Sequence, residues 1–281
     1  MSDQPVASLA PARPSLRRDP DLDFLVIVPT CGDPAVLVPC VERVLRHAEP
    51  RTRIVIAFNA ADRTKAADSM ARIDALAPAD GSVGVSMIQA GRGPVGFARA
   101  VNEGLRHTEA NGGLAGLNVV LNDDARVTPG WLRGLQGAVD SPTVRVPAEP
   151  ADASGTRPDR NAADYGRIGI VGPVSDKVAG IQQVNPPQGA FANLDAFAAA
   201  HRMRTTGEVM TADFISGFCV GITFAALDDL AEWAGGMAYD KVAPPKVAPW
   251  TSADDAIDLR DTGLGEKPGD GQAQYLSLIH I

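Results

Sequence analysis

Val119-Val120-Leu121-Asn122-Asp123-Asp124-Ala125-Arg126-Val127-Thr128-Pro129-Gly130-Trp131-Leu132 passes from an apolar run to an amide and two carboxylates without a spacer. The run that begins at Leu117 and ends at Leu121 reads as a buried strand. Thr128 is placed to cap a helix whose first position is Pro129, where a missing N–H costs nothing, so the acidic residues fall between strand and helix. In open α/β sheets that is where ligands bind. Two readings stay open on these letters alone. Asn and Asp favour tight turns whatever their function, and carboxylates fixed at a strand end also hold a hard divalent cation that neutralises a diphosphate.

Toward the N-terminus the pattern repeats. Phe24-Leu25-Val26-Ile27-Val28 is a near-continuous apolar run, expected of a central parallel strand, and it stops at Pro29-Thr30-Cys31-Gly32-Asp33-Pro34. Val36, Leu37, Cys40, Val41, Val44 and Leu45 then follow at helical spacing, with Pro39 requiring a late start or a kink. Arg53 to Phe58 is a second strand that ends at Asn59, with a crossover helix from Arg63 to Leu76, and Val83 to Ile88 is a third strand. Gly91-Arg92-Gly93-Pro94-Val95-Gly96-Phe97 is a glycine-rich turn entering a helix whose first amides can face a phosphate. Strands alternating with helices predict an α/β fold with a mostly parallel, doubly wound sheet flanked by helices. Residues 1–21, rich in Pro, Ala, Ser and Arg without periodicity, read as a disordered leader.

Toward the C-terminus, residues 136–167 include a stretch of Pro, Ala, Asp, Arg and Ser that reads as an exposed insertion. A strand resumes at Ile168, a helix is expected from Leu194 to Arg204, a strand from Phe214 to Thr223 and a helix from Ala225 to Trp233. The chain thus divides into a first half over 22–135 and a second over 168–265. A second acidic cluster, Asp254-Asp255, lies in a Pro-, Asp- and Gly-rich stretch. Residues 266–281 are expected to be irregular, and their apolar end, with no helix stop or turn, reads as a non-native junction or an interrupted frame.

Composition narrows the function. Twenty-six basic against 34 acidic residues give a formal charge of −8, the opposite of the basic excess of a general nucleic-acid binder. Cys31, Cys40 and Cys219 are too few and too scattered for a disulfide framework or a zinc cluster. No apolar run approaches the roughly 20 residues that span a membrane, and no hydrophobic signal core is present, so the expected location is cytoplasmic. No Gly-x-Gly-x-x-Gly follows the first strand, which disfavours a dinucleotide-dependent dehydrogenase.

Four segments, in order, resemble the family 2 glycosyltransferases, inverting enzymes of the GT-A fold that use nucleotide-sugar donors, in particular bacterial surface-polysaccharide and rhamnosyl-type members. They are Val26-Ile27-Val28-Pro29-Thr30, Gly96-Phe97-Ala98-Arg99-Ala100-Val101-Asn102-Glu103-Gly104, the Leu121-Asn122-Asp123-Asp124 segment with Thr128-Pro129-Gly130-Trp131-Leu132, and Ser216-Gly217-Phe218-Cys219. The likeness covers about residues 25–260. It implies a donor site at Pro29, Thr30, Cys31, Asn59, Gly96, Asn102, Asn122 and Asp123, with Asp124 as the ligand of Mg²⁺ or Mn²⁺. Where many relatives carry an acid after the second strand, this chain has Phe58 and Asn59, leaving base recognition to stacking or to Asp62.

Inversion requires a base that deprotonates the acceptor hydroxyl on the face opposite the leaving diphosphate. The family's Glu-Asp motif, aligned on Arg260, falls on Ala253 and Asp254, with Asp255 as the alternative base. The resemblance implies a nucleotide-sugar donor, a glycan or lipid-linked acceptor, no nucleic acid, and peripheral membrane association at the inner face for a lipid-linked acceptor. The rival readings are a nucleotidyltransferase, which would carry a basic glycine-rich loop in place of Pro29 to Pro34, and a non-catalytic or truncated nucleotide-sugar-binding fragment.

Overall fold

Every residue of Phe24–Thr30 (β1) is buried, and the computed structural model builds outward from that strand. It describes residues 15–60, 62–78, 80–91, 95–141, 168–178, 180–187, 190–205, 209–212, 215–233 and 276–280. After β1 come Pro34–Arg46 (α1), Thr52–Phe58 (β2), Arg63–Asp74 (α2), Gly84–Gln89 (β3), Phe97–Ala110 (α3), Leu117–Leu121 (β4) and Trp131–Val139 (α4). The second half contributes Ile168–Pro173 (β5), Leu194–Thr205 (α5), Val209–Thr211 (β6), Cys219–Thr223 (β7), Phe224–Trp233 (α6) and Leu276–His280 (β8). One sheet orders these strands β3-β2-β1-β4-β7-β5-β8-β6.

The sheet is α/β and mostly parallel, as expected. β1 pairs in parallel with both β2 and β4, and β3 adds in parallel to β2. Strand order thus reverses at β1, with β2 and β3 on one side and β4 on the other, and a crevice opens at the carboxyl ends of β1 and β4. Beyond β4 the pairing turns antiparallel, to β7, and then from β7 to β5.

Alternation along β1 decides the two layers. Phe24, Val26 and Val28 face a core shared with Leu37, Val41 and Val44 of α1 and Leu132 and Leu135 of α4. Leu25 and Ile27 face the opposite core, with Leu105 of α3 and Leu227 and Ala231 of α6. The α3 helix lies so close that a Cβ on Gly104 would stand 2.8 Å from Ile27 Cγ2. That spacing explains a glycine inside a helix, where it costs about 1 kcal/mol against alanine.

Local details differ from the sequence reading. α1 starts early, not late: Asp33 accepts a hydrogen bond from the Ala35 N–H at 2.9 Å, Pro34 opens the helix, and Pro39 is carried inside it. Ala35 and Pro39 are both on the exposed face, where water can satisfy the carbonyl that Pro39 leaves free. Thr128 does not cap α4. The cap is Gly130 in the left-handed region at φ 72°, after a turn in which the Trp131 N–H donates to the Thr128 carbonyl at 3.2 Å.

β7 begins at Cys219 rather than near Phe214, and β6 had no signal in the sequence. α4 runs on to Val139, into the stretch assigned to the insertion; residues 142–167 lie outside the described part. Residues 15–21, assigned to the leader, run along the surface and are anchored at Leu16 and Arg18. Leu16 is buried, its N–H donates to Asp228 at 2.9 Å, and Arg18 bridges Leu114. Within 266–281, expected to be irregular, β8 pairs with β5 and β6.

Candidate functional site

The carboxyl ends of β1, β2 and β4 meet the loops that the sequence singled out. Thr30, the last residue of β1, donates its hydroxyl to Asp123 Oδ2 at 2.6 Å and accepts the Gly32 N–H at 2.9 Å. Register makes this possible, because the parallel pairing of β1 and β4, from Phe24 opposite Leu117 to Ile27 opposite Val120, carried on past the end of β4 brings Asp123 level with Thr30. The Cys31-Gly32 turn is fixed from below by Ser69, whose hydroxyl donates to the Gly32 carbonyl at 2.9 Å. Pro29 and Thr30 are buried, while Cys31 is exposed at the edge of the crevice.

Asp123 and Asp124 face different surroundings. Asp123 is half-buried, and burial raises its carboxyl above the usual range, opposed by the Thr30 hydrogen bond and reinforced by the neighbouring Asp124 charge. Asp124 is exposed, lines a cavity, and among the described residues forms no hydrogen bond or ion pair. Adjacent carboxylates in this state carry uncompensated negative charge that a cation would neutralise.

The oxygen donors suit Mg²⁺ or Mn²⁺, which take one or two protein carboxylates and fill the remaining positions with phosphate and water. Among the described residues no group of three or more His, Cys, Asp or Glu gathers into an all-protein cage. Asp124, exposed beside the cavity, is the carboxylate that could hold such an ion, with Asp123 behind it.

Asn122 has its backbone engaged on both sides. Its N–H donates to the Phe218 carbonyl at 2.8 Å, and its carbonyl accepts the Ala125 N–H at 3.2 Å and the Cys40 thiol at 3.5 Å. Burial, with help from the Asp123 and Asp124 charges, pushes the Cys40 thiol up to about 12, so it is a neutral donor.

Asn59 is tied to the glycine-rich turn, because the Val95 N–H donates to its side-chain carbonyl. That bond brings the end of β2 to the start of α3, where Gly96 has φ 85°. Asp62 caps α2 instead of facing the crevice, accepting the Thr64 and Lys65 N–H groups at 2.9 and 3.2 Å. Asn102 sits farther along α3, half-buried. Asp254 and Asp255 lie outside the described residues.

A cavity of about 720 Å³ opens beside Asp124, between the acid loop, α4, the end of β5 and α5. Its wall includes Trp131, Phe197, His201, Arg202 and Phe218. Phe197 and His201 stack with ring centroids 5.9 Å apart. Arg202 donates to the Pro129 carbonyl at 2.6 Å, which fastens α5 to the turn before α4. Trp131 Nε1 and His201 Nε2 are buried without a hydrogen-bond partner among the described residues. Such groups are uncommon in folded proteins and costly.

Sequence reading missed the α5 side of this wall. Trp131 and Phe218 fall in motifs the sequence singles out, but the α5 residues give no signal of a site, since α5 is weakly amphipathic and buries none of its residues. It also missed Cys40 and Arg43. They look like core and surface positions of an ordinary helix until the acid loop is seen against them.

Solved structures show distant likeness. One is the mannosyltransferase PcManGT from Pyrobaculum calidifontis, solved with GDP-Man and Mn²⁺, at 18% identity and TM-score 0.42, covering 80% of this chain and 51% of that one. Another is S. aureus TarS, at 14% identity and TM-score 0.31, covering 49% of this chain and 23% of that one. The chain thus spans about half the length of the mannosyltransferase it matches. No curated protein matches it. The family model described as glycosyl transferase family 2 matches residues 25–169, more than half of the 281 residues and the whole of the crevice from β1 to the acid loop, and the chain belongs to that family.

Proposed function

We propose that the chain is an inverting glycosyltransferase that moves a sugar from a nucleotide-sugar donor to a hydroxyl acceptor. The observation that carries this reading is the junction of β1 and β4, where Thr30 holds Asp123 and leaves Asp124 facing a cavity large enough for a sugar. Family membership supports the reaction class.

In this reading the donor lies across the ends of β1 and β2, over Pro29, Thr30, Cys31 and Asn59, with its diphosphate toward Gly96, Asn102, Asn122 and Asp123. Asp124 holds Mg²⁺ or Mn²⁺. The ion supplies charge stabilisation to the leaving diphosphate. Thr30 keeps Asp123 oriented, and the protein backbone around Asn122 keeps Asp124 at the mouth of the cavity.

The acceptor occupies that cavity. Pyranose rings present apolar faces of C–H groups, which suit Trp131, Phe197 and Phe218, and hydroxyls that suit the polar groups between them. A growing surface glycan or a lipid-linked sugar fits such a wall. We place the reaction in the cytoplasm, at the inner membrane face when the acceptor is lipid-linked; among the described residues no helix is long and apolar enough to cross a membrane. The acceptor proton goes to a carboxylate on the face opposite the diphosphate, assigned to Asp254 or Asp255.

Calorimetric titration of uridine, thymidine and guanosine diphosphates tests the donor site, with Mn²⁺ and with chelator. The reading expects one of them to bind with a gain in affinity that requires metal. A folded sample that binds none of the three sinks it.

A further inference from the structure

One face of α1 touches the acid loop at both ends. Cys40 and Arg43 are three residues apart and His47 four further, so all three share a face of the helix and its cap. The Cys40 thiol donates to the Asn122 carbonyl at 3.5 Å, and Arg43 Nε donates to the Val127 carbonyl at 2.7 Å. Between these two anchors lie residues 123–126, both carboxylates among them. Asp124 makes no bond of its own among the described residues, so its direction is set by this stretch of backbone.

Arg43 is itself held. Its Nη2 pairs with Asp195 of α5, and His47 Nε2 stands 3.7 Å from the same carboxylate. The Arg43 side chain is 17% exposed. A guanidinium that is mostly buried, ion-paired and bonded to a loop carbonyl is a fixed strut, because its planar fork offers two directions of bonding at once. α5 also lines the cavity through Phe197, His201 and Arg202. The strut therefore joins the acid loop to the cavity wall.

We infer that Cys40 and Arg43 are positioning residues that hold loop 122–127 in the shape that aims Asp124 at a divalent cation, with Asp195 fixing the Arg43 guanidinium. The inference rests on the donor-site reading above. It assigns α1 a role in metal binding through the loop backbone that its side chains hold. Partners behind metal ligands commonly affect metal affinity by 10- to 100-fold.

The test compares Arg43→Met, Asp195→Asn and Arg46→Met with the wild-type chain. Arg46 is exposed, pairs with Glu42 on the same helix, and serves as the control. Each is titrated with the nucleoside diphosphate that binds the wild-type chain, once with MnCl₂ and once with chelator, after a thermal melt has shown that it is folded. Arg43→Met is expected to lose about tenfold in the affinity measured with Mn²⁺. Its affinity in chelator is expected to be unchanged, and Arg46→Met is expected to match the wild-type chain.

Asp195→Asn keeps an acceptor for Arg43 and is expected to lose less, and it gives the same reading should Arg43→Met not fold. A folded Arg43→Met or Asp195→Asn with the full metal-dependent gain overturns the inference. So does an equal loss with and without metal, which is what a merely structural role would give. If the wild-type chain shows no metal-dependent binding, the donor site itself fails and the inference with it; if the wild-type chain shows the gain and Arg43→Met and Asp195→Asn keep it in full, the donor site stands and the strut does not.

Discussion

All seven residues of β1 are buried, whereas α5, on the far side of the acid loop, buries none of its twelve. Thr30 of β1 ties into the acid loop, α5 lines the cavity beside that loop, and the two regions are held by different forces. The β1 side is fixed by apolar packing on both faces and by parallel pairing with β2 and β4. The α5 side is fastened by a few polar struts: Arg43 to Asp195, Arg202 to the Pro129 carbonyl, and His47 near Asp195. Regions with little buried apolar contact open at lower free energy than the core. A donor site built on the first region and an acceptor wall built on the second would thus differ in rigidity, one fixed and one adjustable.

The strongest way to break that contrast is at Asp124. Asp124→Asn keeps size and loses charge, and is expected to abolish the metal-dependent gain in nucleotide binding and to lower turnover by on the order of 100-fold. Unchanged titration curves would remove Asp124 from the metal site. The fold should be untouched, because this carboxylate is exposed.

Packing on the β1 side gives the next effect. Gly104→Ala places a methyl group 2.8 Å from Ile27 Cγ2, so that α3 or the Ile27 side chain must shift. Overpacking of this kind costs about 1–3 kcal/mol, read as a shift in the urea midpoint. A methyl accommodated without loss would show that α3 sits more loosely on β1 than the contrast allows.

Asp123 sharpens the comparison through pH. Its carboxyl is raised in the folded chain, so folding favours the protonated form; the stabilisation is present below the ordinary carboxylate range and is lost as pH rises through the raised value. Asp123→Asn, which keeps an oxygen to accept the Thr30 hydroxyl, is expected to unfold at higher urea than the wild-type chain at pH 7. The two midpoints should converge in acid. A wild-type chain that is the more stable at pH 7 would reverse the assigned cause.

Arg202→Ala is the smallest of the four. It removes an exposed strut between α5 and the Pro129 carbonyl. The expected cost is about 1 kcal/mol or less in global stability, with a faster hydrogen exchange confined to α5. A loss of several kcal/mol would mean that α5 belongs to the cooperative core.

How much of this was legible follows from the range over which each signal acts. The strands β1, β2 and β4 were readable because each is a short, mostly apolar run, as expected of strands in a sheet covered on both faces. The acid cluster was readable because polarity changes abruptly at Leu121. The cap of α4 was misjudged because Thr128 and Gly130 are both competent caps; the turn they form decides between them. The anchoring of residues 15–21 was missed because their one leucine, Leu16, cannot show a period.

By itself the sequence determined an α/β sheet with carboxylates at a strand end beside a glycine-rich turn, since these are patterns of neighbouring residues. Only the tertiary structure decided that Thr30 meets Asp123, 93 positions away, that Asn59 is spent on Val95, and that Cys40 and Arg43 reach the two ends of the acid loop. Those pairings depend on strand register and on where a helix crosses the sheet. Neither is written in any local stretch of the chain, because each is set by how whole faces pack.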